Sequence, residues 1–313
     1  MFHTNSYFDN YMKQTHPNIM KIADKIRKGQ ILVSDGAWGT FLQAKGLQPG
    51  ECPEEWNVTH AADVYEIAKS YIDAGSDMVE TNSFGGSSFK LKSYGLDGKV
   101  TELNKAAAEI SRKAAGPDKH VLGSIGPTGK ILMMGEVTAD DLYEAFKQQA
   151  VALEAGGADA IVIETMSDME EAVAAVKAVK ENTGCEVICT MTFEKSGEDE
   201  FHTMMGVTPE QMVAELSDLG VDILGANCGN GIQNMIGISR QIRKANPEIP
   251  ILIHANAGAP VYHEGKTIFP ESPEEMAEFV NILVDAGANI IGGCCGTTPE
   301  HIRKIVETIK NRS

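Results

Sequence analysis

The sequence predicts an α/β protein of the (β/α)8 TIM-barrel class, a single domain with a short N-terminal extension. Eight short apolar runs, each typical of a strand buried on both faces, alternate with longer amphipathic stretches. Helix-start and helix-stop signals separate the two kinds of segment. Eight strands that are each followed by a helix most simply close into a barrel. The apolar runs begin at Ile31, Asp77, His120, Ala160, Cys185, Asp222, Ile249 and Asn289.

The helices between these runs have recognisable ends. Thr208 and Ser272 each precede a proline and are followed three positions later by Gln211 or Glu275, which predicts a capping box with proline at the first helical position. Thr298 opens the last helix in the same way but without a box. Glycine follows several helices, in the segments 74–76, 155–159, 219–222 and 286–289, where it ends the helix before a short turn into the next strand.

The alternative fold is an open, doubly wound sheet of eight strands. The Gly-x-Gly-x-x-Gly fingerprint of a dinucleotide fold is absent after the first strand, which favours the barrel. We expect residues 1–29 to form a helical or irregular extension and residues 30–313 to form the barrel. No linker or second domain is indicated.

Composition narrows the class of protein. The chain has 313 residues, of which 42% are hydrophobic and 23% charged, as is typical of a soluble globular enzyme. Its net charge of −17 predicts that it binds neither nucleic acid nor an anionic membrane surface. No apolar run approaches the roughly 18 residues that a membrane span needs, and no secretory signal is present. We therefore expect a cytoplasmic protein with reduced cysteines, in which clustered thiols indicate metal binding or catalysis.

Thiols end two of the predicted strands. Cys228 ends strand six, and Cys294 and Cys295 end strand eight. Only strand seven separates these strands in a barrel, so the three sulfurs are predicted to converge. Three thiolates with an open fourth position make a zinc site that can bind a substrate thiol. An isolated cysteine is more often a small buried hydrophobe, and that is the role we assign to Cys52, Cys185 and Cys189.

Acidic residues end two other strands. Asp35 at strand one and Glu164 at strand four could pair with an ammonium group in a partly dry pocket. The alternatives are a helix N-cap for Asp35 and an ion pair within the barrel for Glu164. Glu80 and Asn82 at strand two are further substrate-binding candidates, although either could instead hold turns at the barrel mouth. Backbone N–H groups near 36–40 or 126–129 could cradle a carboxylate.

Several segments resemble one enzyme family. The strings GANCG at 225–229 and GGCCGTTPEHI at 292–302 resemble the zinc-binding motifs of the homocysteine S-methyltransferase family. Strings at 34–46, 79–84, 103–115, 123–129, 161–165 and 256–260 resemble it too, in the same order along the chain. The segments ETNSF and GSIGPT are most similar to the branch formed by the homocysteine-binding domain of cobalamin-dependent methionine synthases.

The resemblance implies a zinc-dependent transfer of a methyl group to the thiol of homocysteine, which forms methionine. It implies that Cys228, Cys294 and Cys295 are the zinc thiolates and that Asp35 and Glu164 hold the substrate amino group. Zinc removes the proton of a bound thiol, and the thiolate can then attack an activated methyl group.

The sequence indicates the methyl donor less directly than the acceptor. No folate or corrinoid module follows the barrel, so we expect methylcobalamin on a separate corrinoid protein that docks at the barrel mouth. The alternatives are a small donor, S-methylmethionine or betaine, or another thiol as acceptor. The pairs Met133-Met134 and Met204-Met205 could line a rim for a large apolar donor or could be gap fillers.

Rival assignments make distinguishable demands on the sequence. A Schiff-base aldolase would need a lysine at a strand end, and none is found there. A zinc-storing scaffold would have no use for Asp35 and Glu164. His254 and His263 could be ligands, but hydrogen bonding within the barrel is the simpler role.

Overall fold

A computed structural model describes residues 19–263 and 266–312. It confirms the predicted barrel: eight parallel strands form one sheet, in the neighbour order β1-β8-β7-β6-β5-β4-β3-β2. The strands are β1 Leu32–Val33, β2 Met78–Glu80, β3 His120–Ile125, β4 Ala160–Met166, β5 Glu186–Met191, β6 Ile223–Gly231, β7 Ile251–Asn256 and β8 Ile290–Gly293.

No helix in the described residues is long and apolar enough to cross a membrane.

Helices follow the strands around the outside of the barrel. The helices are α1 Ile22–Arg27, α2 Gly39–Lys45, α3 Trp56–Thr59, α4 Ala61–Ala74, α5 Ser88–Lys92, α6 Val100–Ala115, α7 Ala139–Ala155, α8 Met169–Asn182, α9 Pro209–Asp218, α10 Ile232–Ala245, α11 Pro273–Glu278, α12 Val280–Asp285 and α13 Pro299–Lys310.

Two short hairpins were not predicted. Glu194–Lys195 pairs with Phe201–His202 in the loop after β5, and Val261–His263 pairs with Lys266–Ile268 in the loop after β7. Strands of two or three residues are too short to show an alternating hydrophobic pattern, which is why the sequence did not reveal them.

One polar contact is repeated four times around the barrel. An Asp or Asn lies just before each even-numbered strand, and its backbone N–H donates to the carbonyl of a residue on the preceding odd-numbered strand. The side-chain oxygen of the Asp or Asn accepts the backbone N–H of that strand residue at 2.8–3.0 Å. The first of these pairs closes the seam between β1 and β2. Only a side chain with an oxygen acceptor, such as Asp or Asn, can make this contact. The contact therefore fixes which residues of the two strands lie opposite each other. The pairs are Asp77 with Val33, Asp159 with Val121, Asp222 with Val187 and Asn289 with Ile251.

Helix α1 closes the amino-terminal end of the barrel. Ile22 and Ile26 are buried against side chains from the barrel interior, among them Leu32 and Met78. The buried carboxylate of Glu186, at the start of β5, accepts the N–H groups of Ile22 at 2.6 Å and Ala23 at 2.9 Å. This helix lies in the predicted 1–29 extension. Residues 1–18 lie outside the described residues, so the boundary between residues 29 and 30 stays a prediction.

The last helix corrects one detail of the sequence analysis. Helix α13 does have a capping box, because Nδ1 of His301 accepts the N–H of Thr298 at 3.1 Å. A neutral imidazole nitrogen can accept a hydrogen bond as a Glu or Gln oxygen does. The other ring nitrogen lies 3.0 Å from the carbonyl oxygen of Glu271, and that contact ties the helix to the loop before α11.

We expect Glu186→Ala to lower the free energy of unfolding by about 1–3 kcal/mol, because two buried N–H groups of α1 lose their acceptor. Urea-induced unfolding followed by circular dichroism measures the change. Glu215→Ala, which removes an exposed carboxylate from α9, is the matched control and should change stability by less than about 0.5 kcal/mol. Equal stability of the two variants would contradict the role given to Glu186.

Candidate metal and substrate site

Three thiols converge at the carboxyl end of the barrel, as the sequence predicts. The sulfur atoms of Cys228, Cys294 and Cys295 all lie within 4.8 Å of one another, and each residue is half-buried. Strand β7 lies between their strands and joins them: the Cys294 N–H donates to the Ala255 carbonyl at 2.7 Å. Among the described residues, this is the one group of three or more potential ligands close enough to share a metal ion.

Unusual backbone geometry brings the sulfurs together. Cys228 has a left-handed φ of 59°, which turns the chain at an irregularity in the pairing of β6 with β7. Gly225 on β6 allows the strands to approach, since a Cβ there would lie 1.8 Å from the carbonyl oxygen of Leu252. A side chain on Gly293 would similarly collide with the hydroxyl of Thr297. The glycines beside the cysteines are therefore needed for strand packing as well as for the turn.

The thiols share their protons unequally. The Cys294 thiol and, to a smaller extent, the Cys295 thiol donate hydrogen bonds to the Cys228 sulfur, and these bonds lower the pKa of Cys228 to about 3. Donating to that sulfur raises the pKa of Cys295 to about 12 and raises the pKa of Cys294 as well. Sulfurs around a tetrahedral zinc ion lie about 3.8 Å apart, because each Zn–S bond is about 2.3 Å long. The donor set and its spacing therefore fit a zinc ion, which would displace the remaining thiol protons.

Buried carboxyl groups form a second cluster beside the thiols. Asp35, Glu80 and Glu164 are 1%, 7% and 7% exposed. Oδ2 of Asp35 accepts the backbone N–H of Glu80 at 2.8 Å and the indole N–H of Trp38 at 2.9 Å. The Ser124 hydroxyl donates to Oε1 of Glu164. Burial is the main cause that raises the pKa of all three carboxyl groups, and their mutual repulsion adds to it for Glu80 and Glu164.

A histidine completes this cluster. Nδ1 of His254 lies 3.4 Å from Oε1 of Glu80, and His254 is only 2% exposed. Burial lowers the pKa of His254, which favours the neutral ring. Nε2 of His254 and Oε1 of Glu80 have no hydrogen-bond partner in the described part of the chain. Buried acids with unused acceptor capacity are suited to bind an ammonium group.

One cavity connects the two clusters. Its volume is about 280 Å³, large enough for a small amino acid. The three cysteines, Glu80 and Glu164 all line it, whereas Asp35 does not. Its polar and sulfur-bearing lining includes Glu54, Glu80, Asn82, Ser124, Glu164, Thr165, Cys228, His254, Cys294 and Cys295.

The structure separates the two predicted carboxylate cradles. Residues 36–40 line the cavity. In the 126–129 segment, the Gly126 N–H is bonded to the Phe84 carbonyl at 2.9 Å and the Thr128 N–H to the Glu171 carboxylate at 2.7 Å. No residue of this second segment lines the cavity, so the segment 36–40 is the better candidate, although its Ala37 N–H is already bonded to the Thr297 hydroxyl at 3.0 Å.

The other predicted site residues have mixed surroundings. Asn82 lines the cavity, but its amide donates to the Pro53 carbonyl at 2.7 Å and to the Asn57 side chain at 3.0 Å, which supports the turn-holding alternative. Its substrate role stays a prediction. Cys52 and Cys189 are buried, in agreement with the core role, whereas Cys185 is half-buried. The side chain of His263 lies outside the described residues.

Two residues of the site were missed by the sequence analysis, Ser124 and Asn227, which both bond to Glu164. Trp38, which the sequence allows either to cover the site or to pack in the core, lines the cavity and donates to Asp35. Both missed residues lie inside segments whose resemblance to the family was noted. The resemblance could have suggested Ser124 and Asn227, but their roles depend on contacts between strands that the sequence does not specify.

Known proteins resemble this chain in sequence. Residues 32–309 match the family model described as homocysteine S-methyltransferase. The chain is 32% identical over 300 residues to a methionine synthase of Mycobacterium tuberculosis, and 32% identical over 298 residues to one of Mycobacterium leprae. These matches cover 90% of this chain but only 25% and 24% of the relatives. The chain thus spans about a quarter of their length.

Solved structures resemble the chain in fold. The metallated form of the homocysteine methyltransferase MmuM from Escherichia coli superposes with a TM-score of 0.74 at 24% identity, covering 90% of this chain and 97% of that one. A methyltransferase from Methanosarcina mazei superposes with a TM-score of 0.59 at 12% identity, covering 90% and 94% of the two chains. At these identities the likeness extends to the barrel fold alone.

We expect the purified chain to hold about one zinc ion and expect Cys228→Ala and Cys294→Ala each to lose most of it, because two thiolates bind zinc far more weakly than three. Inductively coupled plasma mass spectrometry gives the metal content per chain. Cys185→Ala is the matched control and should keep its zinc. Full zinc content in both ligand variants would show that the ion binds elsewhere.

Proposed function

The chain belongs to the homocysteine S-methyltransferase family, and on that premise we propose that it transfers a methyl group to the thiol of homocysteine, forming methionine. The observation that carries this proposal is that one cavity is lined both by three converging cysteines and by the buried carboxyl groups of Glu80 and Glu164. Homocysteine has a thiol and an ammonium group separated by a short flexible chain. Each end would therefore meet a partner of complementary chemistry.

Cys228, Cys294 and Cys295 would hold a zinc ion with one position left open. The ion, when bound, supplies Lewis acidity that lowers the pKa of a substrate thiol from about 8.5 to below neutral pH. Only reduced thiols can bind the ion, so the proposed site needs a reducing compartment, and we propose that the reaction takes place in the cytoplasm.

Glu164 and Glu80 line the cavity and would contact the substrate ammonium group, and Asp35, bonded to the Glu80 backbone, would add the attraction of its charge. In the free site, burial and mutual repulsion favour protonated carboxyl groups. A bound cation reverses this preference, because its charge stabilises the ionised forms. The neutral ring of His254 stays beside Glu80 as a polar neighbour without adding a competing positive charge.

The proposed reaction forms one carbon–sulfur bond and breaks the bond between the methyl group and its donor. The donor leaves with that bonding electron pair, and the thiol proton is released. The role of the chain is therefore to bind and orient the acceptor. Trp38, Leu42 and Phe84 line the same cavity and would limit the access of water.

A protein-borne methyl-corrinoid is the donor we propose. Loops at the carboxyl ends of β3, β5 and β7 expose large apolar side chains around the barrel mouth, with Met133 83%, Met204 79% and Tyr262 77% exposed. An apolar rim of this kind suits a macromolecular partner better than a small charged donor. We define this mouth rim as Ile131, Met133, Met134, Met204, Met205, Val261, Tyr262 and Ile268.

We expect Asp35→Asn and Glu164→Gln each to weaken homocysteine binding by about 1–3 kcal/mol, the range of a charge-assisted hydrogen bond. Isothermal titration calorimetry on the zinc-loaded chain measures the affinity. Zinc content should be unchanged, because neither residue is a proposed ligand. Glu170→Gln, on the exposed face of α8, serves as the control. Normal homocysteine binding in both site variants would place the amino group elsewhere.

The donor is tested by following methionine formation with methylcobalamin, a methyl-corrinoid protein, S-methylmethionine and betaine. We expect slow turnover of free methylcobalamin and faster turnover of the protein-borne form, because docking aligns the reactants in advance. Met133→Glu and Met204→Glu should slow the protein-borne reaction about tenfold, the effect of placing a charge in an apolar interface, and leave free methylcobalamin unaffected.

Val151→Glu, which adds a charge to α7 away from the mouth rim, should change neither donor reaction. Efficient transfer from S-methylmethionine or betaine, with none from methylcobalamin, would replace the corrinoid proposal by the small-donor alternative. Transfer to a thiol other than homocysteine, with no methionine formed, would overturn the assignment of homocysteine as the acceptor.

A further inference from the structure

Asn227, next to the proposed ligand Cys228, occupies a fully buried position between the two clusters. Its side-chain oxygen accepts the Thr165 N–H at 2.8 Å and the Thr190 hydroxyl at 2.7 Å. Its side-chain nitrogen donates to the Thr165 hydroxyl at 2.7 Å and to Oε2 of Glu164 at 3.3 Å. All four hydrogen-bonding positions of the amide are therefore used. The backbone N–H of Thr165 can only donate, which fixes the orientation of the amide.

These bonds hold a strained part of the backbone. Thr165 has a left-handed φ of 61°, and Cys228 has one of 59°; in the described residues they are the two residues other than glycine with positive φ. A β-branched residue such as threonine rarely adopts this conformation, which costs of order 1–3 kcal/mol. The strain persists where surrounding contacts fix it. Asn227 bonds to both the backbone and the side chain of Thr165.

The backbone of Asn227 is fixed as well. The Thr192 hydroxyl donates to its carbonyl oxygen at 2.9 Å, directly before the turn at Cys228. Thr190 lies on β5 and Thr192 follows it, so the contacts of Asn227 pass over the end of β5 and link β4 to β6. One residue thus connects the carboxyl group of Glu164 with the backbone that carries the Cys228 sulfur.

We propose that Asn227 is a positioning residue that sets the separation between the Glu164 carboxyl group and the Cys228 sulfur, and thereby the length of the amino thiol that the cavity accepts. This inference rests on the proposed function, because it takes Glu164 as a partner of the amino group and Cys228 as part of the thiol-binding centre. Homocysteine would match the separation, and cysteine, which is one methylene shorter, would not.

The test compares the affinities of homocysteine and cysteine for the zinc-loaded full chain by isothermal titration calorimetry, which needs no methyl donor. The natural chain should prefer homocysteine by at least about tenfold, the usual effect of one methylene. Asn227→Ala removes the hydrogen bonds that hold Glu164 and Thr165 in a fixed position relative to β6. We expect it to reduce the preference about tenfold, mainly by weakening homocysteine. A general loss of structure would instead lower both affinities equally.

Thr190→Val keeps the volume of its side chain and removes only the hydroxyl that Asn227 accepts. It should shift the preference in the same direction by a smaller factor, and it keeps the inference testable if Asn227→Ala does not fold. Asn230→Ala is the control: Asn230 is also buried on β6, but its amide donates to the Phe193 carbonyl. It should leave the preference unchanged.

An unchanged preference in Asn227→Ala, or in Thr190→Val where the first variant does not fold, would overturn the positioning role while leaving the proposed function intact. Equal affinity of the natural chain for both thiols would also overturn it. A natural chain that binds neither thiol would instead contradict the proposed function itself.

Discussion

The parallel register of β6, β7 and β8 is the constraint on which the whole site depends. Asn227 lies opposite His254 on β7, and His254 lies opposite Gly292 on β8. Cys228 follows directly after this level on β6 and Cys294 two residues after it on β8, so both lie at the carboxyl end of the barrel although their strands do not touch. Strands β6 and β7 can approach because Gly225 has no side chain, where a Cβ would lie 1.8 Å from the Leu252 carbonyl oxygen. Gly292 likewise lets β8 approach the residues after β1, where a Cβ would lie 2.8 Å from the Asp35 carbonyl oxygen. A shift of one residue would turn the site's side chains to the outside of the barrel.

The amino end of the barrel is an apolar, packed base, whereas the carboxyl end is a polar binding site. At the amino end, Ile22, Ile26 and the first residues of the strands form an apolar plug that Glu186 ties to α1. At the carboxyl end, three carboxyl groups and a histidine are buried together, which costs stability because Oε1 of Glu80 and Nε2 of His254 are removed from water without a hydrogen-bond partner among the described residues. The four repeated Asp or Asn contacts hold the strand starts in place. A rigid apolar base can therefore support a strained and polar binding end.

Much of the fold was predictable because it depends on local signals. Buried strands give continuous apolar runs, and the predicted caps at Thr208 and Ser272 are present in the structure. The convergence of Cys228, Cys294 and Cys295 was predictable because strands of a barrel end at a common face. The contacts of Asn227 and the Glu80–His254 pair were not, because they depend on side chains that meet across strands distant in sequence. The box at Thr298 was missed because His301 is an unusual acceptor for that position.

A crystal structure of the zinc-loaded chain with homocysteine tests the central claim most directly, namely that one cavity holds both ends of this amino thiol. We predict zinc anomalous density at Cys228, Cys294 and Cys295, with the substrate sulfur beside it and the substrate amino group within hydrogen-bonding distance of Glu164. Homocysteine bound with its amino group away from the carboxyl cluster, or zinc density away from the three cysteines, would contradict the account.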